Sequence, residues 1–454
     1  MSIIRRAPIG ALALATVLVA AACGSDNSSS SSGATTTAGG AATTAASAAT
    51  TAAASGATTT GAATTAAAAA ATTANANQTP IKIGVLLPLS GTFATPQYLD
   101  IINAQPKMPG NDKIDGRPYQ IISKDDQGNA TAGAAAVHEL LDSDKVDVII
   151  GTNFTAVANA ELPLTTAAKV LQLSLSGCPS CGDGATYPYA FSNEFDRPTQ
   201  AAATIPRIKA LGLNEFAILE SQDASSKPYV DAVTAAAQQG GMTITKDVSF
   251  QPGNLDFGNQ VQELKDSGTK LVYIASIAPA DEVNIVKAFD EADFHPILMG
   301  NSSMGVGTVA AATSNKDWVS TWQSSGYGLG EVNPVSSTVD KWRTNIKAAL
   351  GNDKYNQLAA LGFNPVAAAQ DWFTIFKAAV EANHTTDGPT LAKWIETNGY
   401  KGGLRADYTF TPQRHNGFTA NDVGWAQPGT IKDGFLDAAK TSVSSGGSTS
   451  TTSG

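Results

Sequence analysis

Val146-Asp147-Val148-Ile149-Ile150-Gly151-Thr152-Asn153-Phe154-Thr155-Ala156-Val157-Ala158-Asn159-Ala160-Glu161-Leu162-Pro163 is the stretch that decides the fold. A β-branched apolar run, Val146 to Ile150, stops at Gly151. A small polar turn follows, and a helix-compatible run opens near Thr155. Strand, tight turn and helix in that order leave backbone N–H groups pointing out of the helix start. Such a place suits a carboxylate or phosphate without a charged side chain.

The same alternation extends in both directions. Upstream, Ile81 to Leu87 and Tyr119 to Lys124 read as strands. Ala134, Val137, Leu140 and Leu141 mark one face of a helix before the central strand. Downstream, a helix over about Thr155 to Ala168 leads to a strand at Val170 to Leu175. The pattern then restarts. Helices are predicted over Thr199 to Leu211, Lys227 to Gln239 and Asp281 to Ala292, with a further helical face at Phe257, Val261 and Leu264. The strands between them are Glu215 to Glu220, Met242 to Phe250, Leu271 to Ser276 and Pro296 to Met299. Long helical patterns at Val339 to Leu350 and Pro365 to Ala382 follow, and Asp407 to Phe410 reads as a final strand. Two successive βα lobes without a long linker predict an α/β protein of two doubly wound parallel sheets, with ligand binding beyond the carboxyl ends of the strands.

The 454 residues carry a net charge of -10 with 15% charged residues, and no basic cluster follows Arg5-Arg6. Nucleic acid is therefore not an expected partner. Arg5, Arg6 and the apolar run Ile9 to Ala22 read as a signal peptide over residues 1–22, too short to span a membrane comfortably. Val19-Ala20-Ala21-Ala22-Cys23-Gly24-Ser25 resembles a bacterial lipobox, although Ala20 stands where leucine is usual. The resemblance implies cleavage before Cys23 and a diacylglycerol on its thiol, hence a lipid anchor on the cell membrane and an extracytoplasmic location. Residues 23–78 are mainly Ser, Thr, Ala and Gly, too poor in large apolar residues to offset ordering the backbone. They read as a disordered tether with a reach on the order of 40 Å. Residues 441–454 read as a disordered tail.

Chemistry-bearing constellations are sparse. His138, His295, His384 and His415 lack metal-ligand spacing, no Ser-His-Asp pattern emerges, and no Gly-x-x-x-x-Gly-Lys loop occurs. Gly305-Val306-Gly307-Thr308-Val309-Ala310 fits a dinucleotide pattern but lacks an acidic partner at the expected distance, and reads as a loop-to-helix junction. No enzyme activity, metal or cofactor is expected. Cys178-Pro179-Ser180-Cys181 in an exported chain reads as a disulfide. The alternative of a redox Cys-x-x-Cys wants a helix start after the first thiol, whereas Gly182-Asp183-Gly184 follows the pair.

From Ile81 to Gly424 the chain resembles the periplasmic leucine/isoleucine/valine-binding family of solute-binding proteins of ABC importers. The resemblance lies in Ile81 to Gly91, Ser123-Lys124-Asp125-Asp126-Gln127-Gly128-Asn129, Ile149-Ile150-Gly151 with Thr155, Gln251-Pro252-Gly253 to Phe257, and Gly402-Gly403 before Tyr408-Thr409-Phe410. It implies a type I periplasmic binding fold whose three hinge crossings lie near Arg197 to Ala201, Trp322 to Gly328 and Lys401 to Tyr408. Lobe I would comprise 79–199 and 325–402, lobe II 200–324 and 403–440. It also implies ligand-binding roles for Ser90, Thr155, Ala156, Ser176, Gly177 and Cys178 in the first lobe. In the second lobe it points to Asp223, Ser225, Ile277, Asn301 and Ser302.

Thr155 would hold a ligand carboxylate, helped by Ser176, Gly177 and Cys178. Cys178 departs from the family's threonine; in a disulfide it could not donate, leaving Ser176 or Ser180 to substitute. In the second lobe the family's ammonium-binding glutamate is replaced by Ser302, its aromatic lid by Ile277 and its Tyr-Gly pair by Ser225-Ser226. Asp223 or Asp281 could replace the missing acid. The expected function is capture of an amino acid, amide or carboxylate by a monomer that delivers it to an ABC permease. The alternative is a ligand sensor docking on a membrane receptor.

Overall fold

β1 (Ile81–Leu87) is buried along almost its whole length, as a strand covered on both faces must be. It pairs in parallel with β2 (Tyr119–Asp125) on one side and β3 (Val148–Gly151) on the other. β4 (Leu171–Ser174) and β5 (Ala190–Ser192) extend the sheet beyond β3, giving the order β2-β1-β3-β4-β5. α1 (Pro96–Ala104), α2 (Ala130–His138) and α3 (Thr155–Ala168) lie between these strands in the chain. The strand order reverses between β1 and β3, so the loops leaving them diverge and open a crevice at their carboxyl ends. The computed structural model describes residues 79–91, 94–223, 226–276, 278–305, 307–327, 332–429, 431–432 and 434–440.

α4 (Arg197–Ala210) opens the second lobe. There β6 (Glu215–Ser221), α5 (Lys227–Gly240), β7 (Thr243–Phe250), α6 (Gly258–Asp266), β8 (Leu271–Ala275), α7 (Pro279–Glu291) and β9 (Ile297–Gly300) repeat the alternation. β10 (Gln323–Tyr327) and β12 (Val423–Ala426) complete a sheet of order β12-β10-β9-β8-β6-β7, parallel except where β12 runs against β10. Alternate residues of β6 and β8 enter two cores. Leu219 and Ile274 meet Phe257, Val261 and Phe289, while Ile218 and Tyr273 meet Ile208, Tyr229 and Val233. Both faces of this sheet are therefore covered.

The chain after β10 returns to the first lobe. Helices Ser337–Leu350, Asn364–Asn383 and Gly388–Asn398 contribute Trp342, Trp372, Phe376 and Ile395 to the same core as Ile83, Val85 and Ile150. Each of the aliphatic side chains and Phe376 contributes about 1.5–3 kcal/mol by its burial.

Two expectations need correction. Asp407 to Phe410 is not a strand; within it only Tyr408 bridges, to Tyr400. The stretch is tied by side chains instead. Asp371 accepts from the Leu404 and Arg405 N–H groups at 2.7 and 3.1 Å and from the Tyr408 hydroxyl at 2.6 Å. Residues 403–440 also do not belong wholly to the second lobe, because Leu404, Ala406, Tyr408, Phe410 and Phe418 pack in the first core. The chain instead enters the second sheet only at β12, whose first residue, Val423, still packs in the first core. Conversely β10, expected in part within the first lobe, is a strand of the second sheet. The expected signal peptide, lipidated Cys23, tether and tail, residues 1–78 and 441–454, lie outside the described residues, as do Ser225 and Ile277.

Beyond β12 the chain bridges the lobes again. β13 (Leu436–Asp437) pairs with β11 (Val332–Asn333), and Phe435 lies 5.5 Å from the Phe363 ring of the first core. Ala439 then bonds back to Trp425 of β12, and its carbonyl accepts from Arg207 of α4 at 3.1 Å.

Candidate functional site: a cleft between the lobes

The site begins at the turn after β3. Gly151 has φ 134°, and a Cβ there would stand 1.8 Å from the Leu86 carbonyl, so only glycine lets β3 end this close to β1. The turn then starts α3 at Thr155 with Phe154 as its N-cap. Phenylalanine offers no capping acceptor, so the first turn of α3 receives no capping side chain. Its N–H groups and the positive end of its dipole suit an anion.

The turn after β4 supplies the neighbouring hydroxyl. The Ser176 N–H bonds Ser174 Oγ at 3.1 Å and its carbonyl accepts from Ser192 Oγ at 2.8 Å, which fixes the backbone. Ser176 Oγ thereby lies 2.9 Å from Thr155 Oγ1. A Cβ on Gly177 would stand 2.6 Å from the Phe195 carbonyl, so glycine lets this turn lie against the first crossing between lobes. Thr155, Ser176 and Gly177 line one wall of a cavity of about 300 Å³.

The cavity also reaches residues absent from the sequence-based set. Tyr98 and Asn153 join the first wall, Glu194, Arg197 and Gln200 come from the first crossing, and Ser325 and Gly326 from the second. Tyr229, also absent from that set, and Ser302, which belongs to it, face them from the second lobe. Gln200 Nε2 bonds Ser325 Oγ, which ties the two crossings together. Arg405, with a fully buried side chain, holds Glu194 through two bonds of 2.8 and 3.1 Å and spans to the Asn193 carbonyl. The Arg197 guanidinium lies 3.9 Å from the centre of the Tyr229 ring. Burial pushes the Tyr229 phenol upward, Arg197 opposes the shift, and Glu194 and Glu282 add to it; these charges thus converge around the cleft.

The remaining proposed residues are placed elsewhere. Ser90 donates to Asp125 and Ala156 points to solvent, and neither lines the cavity. Cys178 is joined to Cys181 with Cα atoms 5.3 Å apart, buried with Ala158 and Leu162 behind the wall. Asp223 accepts from the Ser226 N–H at 2.9 Å and from its hydroxyl, closing the turn before α5. Asp281 accepts from the Gly253 N–H at 3.0 Å. Asn301 reaches the Ser276 carbonyl at 2.7 Å and accepts from the Ser303 N–H at 2.8 Å, shaping the turn that presents Ser302. Beneath it, burial pushes the Glu282 carboxyl up to about 7, a rise that its bond from Ser303 only partly offsets.

A chain with two parallel sheets and a cleft crossed by hinge segments invites comparison with known proteins. Residues 80–427 match the model of the periplasmic binding protein family. The chain belongs to this family. Its members are substrate-binding proteins rather than enzymes, and membership places the chain outside the cytoplasm. No described helix is long and apolar enough to cross a membrane, and no group of three or more His, Cys, Asp or Glu among the described residues could hold a metal ion.

Among relatives of this periplasmic binding protein is Leu/Ile/Val-binding protein homolog 3 of Brucella melitensis. It is 24% identical over 345 residues, spanning 70% of this chain and 84% of the relative. The fold also matches an ABC transporter substrate-binding protein from Desulfitobacterium hafniense in complex with Leu. That match has 17% identity, a TM-score of 0.64, and covers 79% of this chain and all of the other at 100%. A solute-binding protein of an ABC transporter from R. palustris, in complex with 4-hydroxybenzoate, is 19% identical with a TM-score of 0.60; the match covers 80% of this chain and 96% of that one.

Proposed function

We propose that the chain captures a small organic ligand bearing a carboxylate in its interlobe cleft and delivers it to an ABC permease. One observation carries this proposal: the Thr155–Ser176 hydroxyl pair at 2.9 Å, set at the uncapped start of α3 in a cavity that both lobes line. Two hydroxyls, the Gly177 turn and a helix N-terminus form a donor-rich wall for a carboxylate. Similar proteins from D. hafniense and R. palustris are complexed with leucine and 4-hydroxybenzoate, which share a carboxylate and little else. That shared group supports the assignment of the first-lobe wall.

In this proposal the protein acts as a monomer, held at the membrane by a lipid on Cys23, with residues 24–78 giving the binding body its reach. Native mass spectrometry of gently purified protein should find a bound small acid. A thermal-shift panel of amino acids, amides and organic acids should then raise Tm for that class. No shift across the panel, with no bound compound, would count against a binding role. Co-purification of permease subunits tests the partner, and mass analysis of the mature N-terminus tests the lipid.

A further inference from the structure

The charges around the cavity are unequally compensated. Glu194 is held by Arg405 on two bonds. Asp223 and Asp281 are turned into their own lobe, bonding Ser226 and Gly253. Glu282 is fully buried beneath Ser303 and does not line the cavity. Arg197 does line it, and its guanidinium rests on the Tyr229 ring, which orients a cation without neutralising it. Among the described residues Arg197 makes no ion pair. The uncompensated charge presented to the cleft is positive, and Ser302 adds no acid from the second lobe.

From this we infer that the cleft takes an organic acid lacking an ammonium group, and that Arg197 decides that preference. The inference rests on the solute-binding role proposed above. An α-amino acid would bring its ammonium into a cavity whose lining carboxylate is already paired, and an unpaired buried charge is strongly disfavoured. An acid without the amine avoids this cost. Its anionic charge also gains from a planar guanidinium that is oriented before the ligand arrives.

The test is calorimetric titration of the full chain with matched pairs: 4-methylpentanoate and L-leucine, 3-phenylpropanoate and L-phenylalanine, glutarate and L-glutamate. In every pair that binds, the acid should bind at least tenfold tighter than its amino twin. Arg197→Gln should reduce that ratio at least tenfold, whereas a purely structural role would weaken both twins alike. Thermal melting of the variant checks that it folds, and Arg197→Lys, which keeps the charge, should retain part of the preference. A tighter amino twin overturns the inference, as does an unchanged ratio in folded Arg197→Gln.

If no pair binds, native mass spectrometry of the purified protein decides. A co-purified acid without an amine supports the inference; a bound amino acid, cation or neutral compound overturns it and leaves the binding role intact. Absence of any bound compound, with no compaction in any ligand, defeats the binding role and the inference with it.

Discussion

The two walls of the cleft are built by different means. On the first lobe, Thr155, Ser176 and Gly177 follow the ends of the adjacent strands β3 and β4, and the backbone there fixes where each group points. On the second lobe the corresponding polar side chains serve the lobe itself: Asp223 closes the turn to Ser226, and Asn301 braces Ser276 and Ser303. Ser302 and Tyr229 are left to face the cavity. Under the proposed function, a wall made from backbone geometry would serve any carboxylate. A wall made from individual side chains can be rewritten without disturbing the sheet, so ligand selectivity would lie there and at the hinge.

The sharpest way to break this contrast is through the paired charge between the walls. Glu194→Ala would leave the Arg405 guanidinium buried without its carboxylate, and should cost about 3–5 kcal/mol of stability in urea unfolding. A loss below about 1 kcal/mol would mean that the pair does not organise the crossing.

Next in size is a pH effect from the core behind the second wall. The Glu282 carboxyl is raised from 4.5 to about 7 by burial, so the folded state holds a proton that the unfolded chain has already released. Its contribution is complete below about pH 4.5 and is lost as pH rises through about 7, amounting to about 3 kcal/mol. Glu161, buried on α3 with both oxygens unpartnered, is raised by the same cause and adds in the same direction. Glu282→Gln should therefore flatten the decline in stability between pH 5 and pH 8. An unaltered pH profile would contradict the burial of a protonated acid beneath Ser303.

Thr155→Val keeps shape and removes one hydroxyl of the first wall. Affinity for a bound acid should fall by about 1–3 kcal/mol in calorimetry. Because Ser176 shares that bond, Thr155→Val with Ser176→Ala should cost less than the sum of the single changes. Unchanged affinity in Thr155→Val would remove the residue from the site. The smallest effect is expected at Asp223. Asp223→Ala should lower stability by about 1 kcal/mol through the lost turn bonds and leave affinity unaltered. A tenfold loss of affinity would return Asp223 to the cleft.

How much of this was legible in the sequence follows from the same contrast. β3, the Gly151 turn and α3 were readable because periodicity and a glycine stop are local signals, whereas the site role of Thr155 came from the family resemblance. Arg197 and Gln200 sat inside the expected first crossing, yet nothing local distinguished them as lining a cavity. Glu194 acquires its partner 211 residues away in Arg405, a pairing no window of sequence displays. Tyr229 read as one more helical position near the start of α5. The alternating Asp407 to Phe410 looked like a strand, but Asp371 and the aromatic core claim it, so tertiary contacts override the local pattern.

The claim that joins both walls is that one ligand is held between them by closure of the lobes. Small-angle X-ray scattering of the full chain, with and without the acid found by native mass spectrometry, tests it most directly. Saturating ligand should lower the radius of gyration, and Thr155→Val should shift that change to higher ligand concentration. Saturation proved by calorimetry with no change in the scattering curve would contradict capture by closure.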